Sequence, residues 1–288
     1  MNVLQLIERC SARLEQAGVS FGQGTTNAFD EAVWLVLWRL KLPLDALDEV
    51  AGQELDEQAI AHVEALIAKR IETRRPAAYL TGEAWLQGVP FSVDERSIVP
   101  RSLIAEVLAD GTLDAWLHGP PARVLDLCTG NGSLAVLAAM RWPATAVDAC
   151  DVSSDALHLA RINLQRHDLE DRIALHAGDG LAAARGRYDL ILCNPPYVNA
   201  ASMAALPPEF KAEPALALAG GDDGMDFVRS LIDEAASHLQ PRGLLVLEIG
   251  HERAHFDAAF PQLEVVGLPT SAGDDAVLSI DRDSLERR

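Results

Sequence analysis

At 288 residues the chain has room for one large domain or a catalytic domain with a smaller companion, and its 49% hydrophobic and 23% charged residues suit a soluble globular protein. Twenty-four basic against 43 acidic side chains give a formal charge of −19, which opposes sequence-independent binding to a phosphate backbone and favours a basic protein partner. No apolar run approaches the roughly 18 residues of a membrane span, the N-terminus lacks the marks of a signal peptide, and Cys10, Cys128, Cys150 and Cys193 form no C-x-x-C pair. A cytoplasmic protein without metal or disulfide is therefore expected. In chain order, Val3, Leu6, Ile7, Cys10, Leu14 and Ala17 recur at helical spacing, as do Ile60, Val63, Ile67 and Ile71 behind an Asp56 cap. Between them Asp30 to Leu40 reads as a more buried helix carrying Trp34 and Trp38, completing a small bundle. Residues 84 to 99 predict a strand pair or hairpin from Ala84-Trp85-Leu86, Gly88, Phe91-Ser92-Val93 and Ile98-Val99, before Pro100. Beyond residue 101, apolar runs at Val124 to Cys128, Ala146 to Asp151, Ile173 to His176, Asp189 to Cys193, Leu244 to Ile249 and Ala276 to Ile280 are mostly separated by helical stretches. That alternation predicts a doubly wound α/β sheet.

The first of these runs opens a glycine loop, Asp126-Leu127-Cys128-Thr129-Gly130-Asn131-Gly132-Ser133, and the next run ends in Asp151. Glycines let the backbone approach a ligand closely, and an acidic side chain at the second strand end can accept both ribose hydroxyls, so a nucleoside cofactor is expected. Gly130-x-Gly132-x-x-Ala135 also satisfies the loose dinucleotide fingerprint, and the loop alone fits either NAD or S-adenosylmethionine. Two features favour S-adenosylmethionine. Asp126 lies inside the first strand, where it can face a cofactor's amino group, and the fourth strand empties into Asn194-Pro195-Pro196-Tyr197. Asp179, in Gly178-Asp179-Gly180, is placed to meet an adenine amino group.

The tetrapeptide has narrow chemistry. An Asn followed by two prolines cannot extend a sheet ladder, which leaves its amide and nearby carbonyls facing outward. An amide or aromatic amine nitrogen is a poor nucleophile because its lone pair is delocalised. It needs acceptors for its two protons, from Asn194 and the Pro195 carbonyl, and an aromatic face such as Tyr197 to stack on.

Together these motifs resemble a class I, S-adenosylmethionine-dependent methyltransferase of the HemK/Prm family, which modifies glutamine side-chain amides in proteins. The resemblance runs through nearly the whole chain. Arg75-Pro76-Ala77-Ala78-Tyr79-Leu80-Thr81-Gly82-Glu83-Ala84-Trp85 and Phe91-Ser92-Val93-Asp94-Glu95-Arg96-Ser97-Ile98-Val99-Pro100-Arg101-Ser102 are similar to the family's linker hairpin in the branch acting on protein three of the large ribosomal subunit. Phe21-Gly22-Gln23-Gly24-Thr25-Thr26-Asn27-Ala28-Phe29-Asp30-Glu31-Ala32 points the same way, and Glu213 to Gly224 has a version in both this branch and the release-factor branch. Departures are Leu86-Gln87-Gly88, where an aromatic and a Cys are common, and Gly180, where a larger residue covers the adenine.

The resemblance implies a Rossmann-like seven-stranded sheet over residues 101–288, a linking hairpin over 83–100 and a helical substrate-recognition domain over 1–82. It implies S-adenosylmethionine held by Asp126, Cys128, Thr129, Gly130, Asn131, Gly132, Asp151, Asp179 and Asn194, with Asn194, Pro195, Pro196 and Tyr197 catalytic. Pro196 and Tyr197 are expected to sandwich the substrate amide. Its partner is a basic large-subunit ribosomal protein, free or in an assembling ribosome. The rivals are release-factor methylation, amino-group methylation of a nucleic-acid base, which the charge opposes, and a non-catalytic binding protein. Glu213 and Glu248 have no assigned role, and Arg101 reads as a structural residue of the hairpin.

Overall fold

The structure, a computed structural model, describes residues 1–287. Its N-terminal helices start at side-chain caps: Asn2, Asn27 and Asp56 each accept the N–H three residues ahead. Each cap contributes about 1 kcal/mol. They open the helices Val3–Gln16, Ala28–Leu40 and Glu57–Thr73. The second begins before the expected Asp30 because Asn27, not a later residue, supplies the cap. Leu6, Leu14, Leu35, Leu37 and Ile67 are fully buried in their shared core.

Strands β1 (Glu83–Leu86) and β2 (Val89–Ser92) pair antiparallel, Leu86 facing Val89. The two intervening residues, Gln87 and Gly88, both take positive φ, the geometry of a tight hairpin turn. Ile98-Val99, expected to join the strand pair, lies outside it. The Val99 N–H is instead taken by the Glu213 carboxylate at 2.9 Å, so no ladder partner is needed.

The large sheet contains β3 (Arg123–Leu127), β4 (Ala146–Asp151), β5 (Ile173–Ala177), β6 (Tyr188–Cys193), β7 (Leu239–Glu248), β8 (Val266–Gly267) and β9 (Val277–Asp281). Their spatial order is β5-β4-β3-β6-β7-β9-β8, with β9 antiparallel to both neighbours and the others parallel. This is the doubly wound, seven-stranded arrangement expected, and chain order reverses between β3 and β6. A ligand crevice opens beyond the carboxyl ends of strands at such a reversal. Strand β8 has only two residues, too few to leave a recognisable apolar run. Strand β7 starts at Leu239 rather than Leu244, through Arg242 at φ 66°, opposite a register shift between Tyr188 and Leu190.

Side-chain alternation sets what each face buries. Val124, Leu190 and Leu192 enter the core beneath the helix Ser133–Arg141, whereas Leu125, Leu127, Ile191 and Cys193 enter the core beneath Asp226–His238. Among the described residues no helix is long and apolar enough to cross a membrane.

Candidate active site

The alternation that buries Leu125 and Leu127 on one face sends Asp126 to the other. Its side chain is 1% exposed, and Oδ2 accepts the Thr129 hydroxyl and, at 2.9 Å, the Ala135 N–H. Asp126, expected to face a cofactor's amino group, thus braces the glycine loop against the following helix and is not among the residues lining the cavities described below. Its Oδ1 is buried with no hydrogen-bond partner. Burial disfavours the charged form and pushes this carboxyl up to about 7, with Thr129 and Ala135 opposing.

An unfolded Asp titrates near 3.9, so between roughly pH 4 and pH 7 the folded state binds more protons than the unfolded one. Asp126 therefore contributes stability at low pH that is lost as pH rises through about 7. Asp126→Asn is expected to flatten the fall in urea midpoint across that window, and an unchanged slope counts against this assignment.

Beyond β3 the backbone turns sharply: Cys128 adopts φ 60° and Gly130 φ 56°. The Asp151 carboxylate, at the end of β4, accepts the Gly130 N–H at 2.9 Å and the Ser153 N–H at 2.8 Å, fixing the loop. A cavity of about 160 Å³ lies against it, lined by Cys128, Gly130, Asp151, Asp179, Asn194 and Pro196, with Phe227 and Gly180 on one wall. Thr129 and Asn131 line a smaller recess with Gly130 and Asn194. Gly132 lies outside both. Its φ is 82°, and a Cβ there would stand 3.2 Å from Ala160 Cβ, so it permits close packing of the helix Ser154–Arg166. Sequence reasoning missed Phe227. A Cβ at Gly180 would lie 3.8 Å from its ring, so Phe227 supplies cover where the family pattern has a larger residue at 180.

A second cavity, about 180 Å³, lies on the other side of Asn194 and is lined by Pro195, Tyr197, Arg101, Phe210, Leu218 and Glu248, among others. Asn194 borders both cavities, and no hydrogen bond engages its side-chain amide among the described residues. Pro195 and Tyr197 face the second cavity but Pro196 faces the first. Pro196 and Tyr197, expected to sandwich the substrate amide, thus border different cavities. Phe210 and Leu218 also line the second cavity.

The Tyr197 hydroxyl donates to Glu248 Oε1 at 3.3 Å. Glu248 Oε2 accepts the Ser102 hydroxyl at 2.5 Å and the Leu103 N–H at 2.9 Å. Burial raises the carboxyl of Glu248, and burial followed by the nearby Glu248 charge raises the phenol of Tyr197. Arg101 donates two hydrogen bonds to the fully buried Glu213, at 2.6 and 2.8 Å. Glycines complete the surround: a Cβ at Gly220 would meet Tyr197 Cα at 2.8 Å, and one at Gly250 the Tyr197 ring at 2.6 Å. At Gly224 it would strike the Tyr197 carbonyl oxygen. Gly220 and Gly224 belong to the Glu213 to Gly224 stretch of the resemblance. Gly250 carried no sequence signal.

Residues 108–206 match the family model of the methyltransferase small domain. A ribosomal protein uL3 glutamine methyltransferase from Bordetella pertussis is 52% identical over 97% of this chain and 95% of its own length. One from Burkholderia pseudomallei is 51% identical over 98% and 95%. Among solved structures, a methyltransferase from Pyrococcus furiosus aligns over 68% of this chain and 90% of its own, at 19% identity and a TM-score of 0.49. The chain belongs to the family of ribosomal protein uL3 glutamine methyltransferases.

Proposed function

We propose that this protein methylates the side-chain amide nitrogen of a glutamine in ribosomal protein uL3, giving N(5)-methylglutamine. The observation carrying this reading is the unengaged Asn194 amide at the junction of two cavities, one for each reactant.

The first cavity fits S-adenosylmethionine by its donor set. Asp151 keeps lone pairs free beyond its two backbone bonds for ribose hydroxyls. The Asp179 carboxylate is available to an adenine amino group, and Phe227 offers a ring to stack on. Thr129 and Asn131 border the recess behind Gly130. When bound, the cofactor supplies an electrophilic methyl group and leaves as S-adenosylhomocysteine. Phe227→Ala is expected to weaken cofactor binding about tenfold, within the ~1–3 kcal/mol of a base–aromatic stack. Titration calorimetry checks this, with kcat at saturating cofactor nearly unchanged.

In the second cavity Asn194 Oδ1 and the Pro195 carbonyl accept the two amide protons and turn the nitrogen lone pair toward the first cavity. Tyr197, held by Glu248, offers its ring to the amide plane. The nitrogen–carbon bond forms as the carbon–sulfur bond breaks, and the methylated nitrogen then releases a proton to solvent. No strong base is needed before attack, and Glu248, whose two oxygens already accept Ser102, Leu103, Ile104 and Tyr197, is an anchor rather than a base. Positioning and preorganised dipoles carry the catalysis.

The partner reading draws on the relatives' names and on charge. Large-subunit ribosomal proteins are basic and release factors acidic, so a chain of −19 favours the former. We expect association with uL3 to slow markedly from low to physiological salt in stopped-flow measurements, as screening shortens the steering field. A flat salt dependence removes this support. The function itself is tested with labelled S-adenosylmethionine and isolated uL3, a release factor or undermodified ribosomes. Label on a uL3 glutamine supports the reading, label on the release factor keeps the chemistry and replaces the partner, and no label on any protein refutes it.

A further inference from the structure

One wall of the amide cavity is held from outside by the N-terminal helices. Glu209, on the short helix Pro208–Lys211, has a fully buried side chain. Its Oε1 accepts Arg74 Nε at 2.9 Å and Arg70 Nη1 at 3.4 Å, and its Oε2 is buried without a partner. Arg70, itself 1% exposed, also donates Nε to Glu31 Oε1 at 2.9 Å and Nη2 to the Ser20 carbonyl at 3.0 Å. Arg74 reaches the Ala17 and Gly18 carbonyls, and Gln23 Nε2 donates to the Glu209 carbonyl at 3.3 Å. Gln23 and Glu31 belong to the Phe21 to Ala32 stretch, which no step of the reaction uses.

Three charged side chains, Glu31, Arg70 and Glu209, are thereby removed from water in one place, with the partly exposed Arg74 closing the cluster. Buried ion pairs are often no more stabilising than apolar residues of similar volume, so stability alone explains the cluster poorly. What it does fix is geometry. The next residue, Phe210, lines the amide cavity, with the Arg101 guanidinium 5.5 Å from its ring centroid. A Cβ at Gly22, in the N-terminal part, would stand 3.3 Å from the same ring.

We propose that Arg70, Arg74 and Glu31, acting through Glu209, position Phe210 as a wall of the amide cavity and so govern how the substrate glutamine is held. None of the four lines either cavity, so they are positioning residues. The helical part then has a duty in turnover. This inference rests on the glutamine reading above and adds residues to it.

The test uses full-length Glu209→Gln and Arg74→Met. The second keeps the Arg70–Glu209 and Arg70–Glu31 pairs should the first fail to fold. Three quantities are read: cofactor Kd by calorimetry, kcat and KM for labelling of isolated uL3, and hydrogen exchange of amides 206–213. Cofactor Kd should stay unchanged while kcat falls on the order of tenfold to a hundredfold, the scale of a roughly 1 Å misplacement. Amides 206–213 should lose protection while those of Asp226–His238 keep theirs. Arg74→Lys should retain more kcat than Arg74→Met. Lower thermal stability with wild-type kcat and wild-type exchange at 206–213 overturns the proposal. Should the wild-type enzyme leave uL3 unlabelled, the glutamine reading fails, and the exchange data alone still decide whether the cluster positions this segment.

Discussion

Asn194→Ala is expected to reduce methyl transfer to uL3 by roughly 10²–10³-fold, the cost of removing one preorganised group that meets the reacting centre. The side chain borders both cavities and carries no internal hydrogen bond, so its loss leaves the surrounding protein with every bond it had. Thermal unfolding should therefore move little. Without its oxygen the target amide retains only the Pro195 carbonyl as acceptor, rotates freely about that contact, and seldom presents its lone pair along the line of attack. Asn194→Asp is the sharper variant. It keeps an acceptor of the same shape but adds a charge, and activity well above that of the alanine variant would show that acceptance, not donation, is the required property. Single-turnover labelling with saturating cofactor separates this effect from any loss of cofactor binding. A drop below about threefold would remove Asn194 from the catalytic role.

Arg101→Met is expected to be the most destabilising conservative-volume change near the site. Glu213 is fully buried, and Arg101 supplies two of its hydrogen bonds, leaving only the Val99 N–H when it is gone. An uncompensated buried carboxylate costs about 3–5 kcal/mol, and the partial exposure of Arg101 places the loss near the lower figure. For a chain of this size about 3 kcal/mol lowers Tm by roughly 6–12 °C. Arg101→Lys should recover little, since an ammonium cannot span both carboxylate oxygens. The double variant Arg101→Met with Glu213→Leu should regain most of the stability because no charge is left buried. Its activity should stay low, since the guanidinium over Phe210 is still missing. Recovery of both would show that the pair serves only the fold.

What could be read from the chain alone was whatever lay close together along it. Asn194-Pro195-Pro196-Tyr197 and the Cys128 to Asn131 loop are contiguous, and their chemistry follows from local backbone limits. Asp126 shows where such reading stops. Its place in a strand was legible, but which face it occupies depends on the helix packed above, and there it braces Thr129 and Ala135. Phe227 was invisible because it reaches the cavity from a helix that begins far beyond the glycine loop. The Arg70–Glu209 contact joins residues 139 positions apart, and nothing in either neighbourhood announces the other. Arg101 was read as structural, and its two bonds to Glu213 show how it exerts that role at the edge of the site.

The three glycines around Tyr197 decide where this enzyme could be remade. Backbone or ring atoms fill the space that a single added carbon would need at Gly220, Gly224 and Gly250. Neither drift nor a library can enlarge or reshape the pocket from those sides without displacing the tyrosine. Leu206, Phe210 and Leu218 line the same cavity and, unlike the glycines, carry side chains that can be exchanged for others. Variants selected to accept an amide in a bulkier or differently branched setting should therefore collect their changes there, leaving the glycine shell untouched.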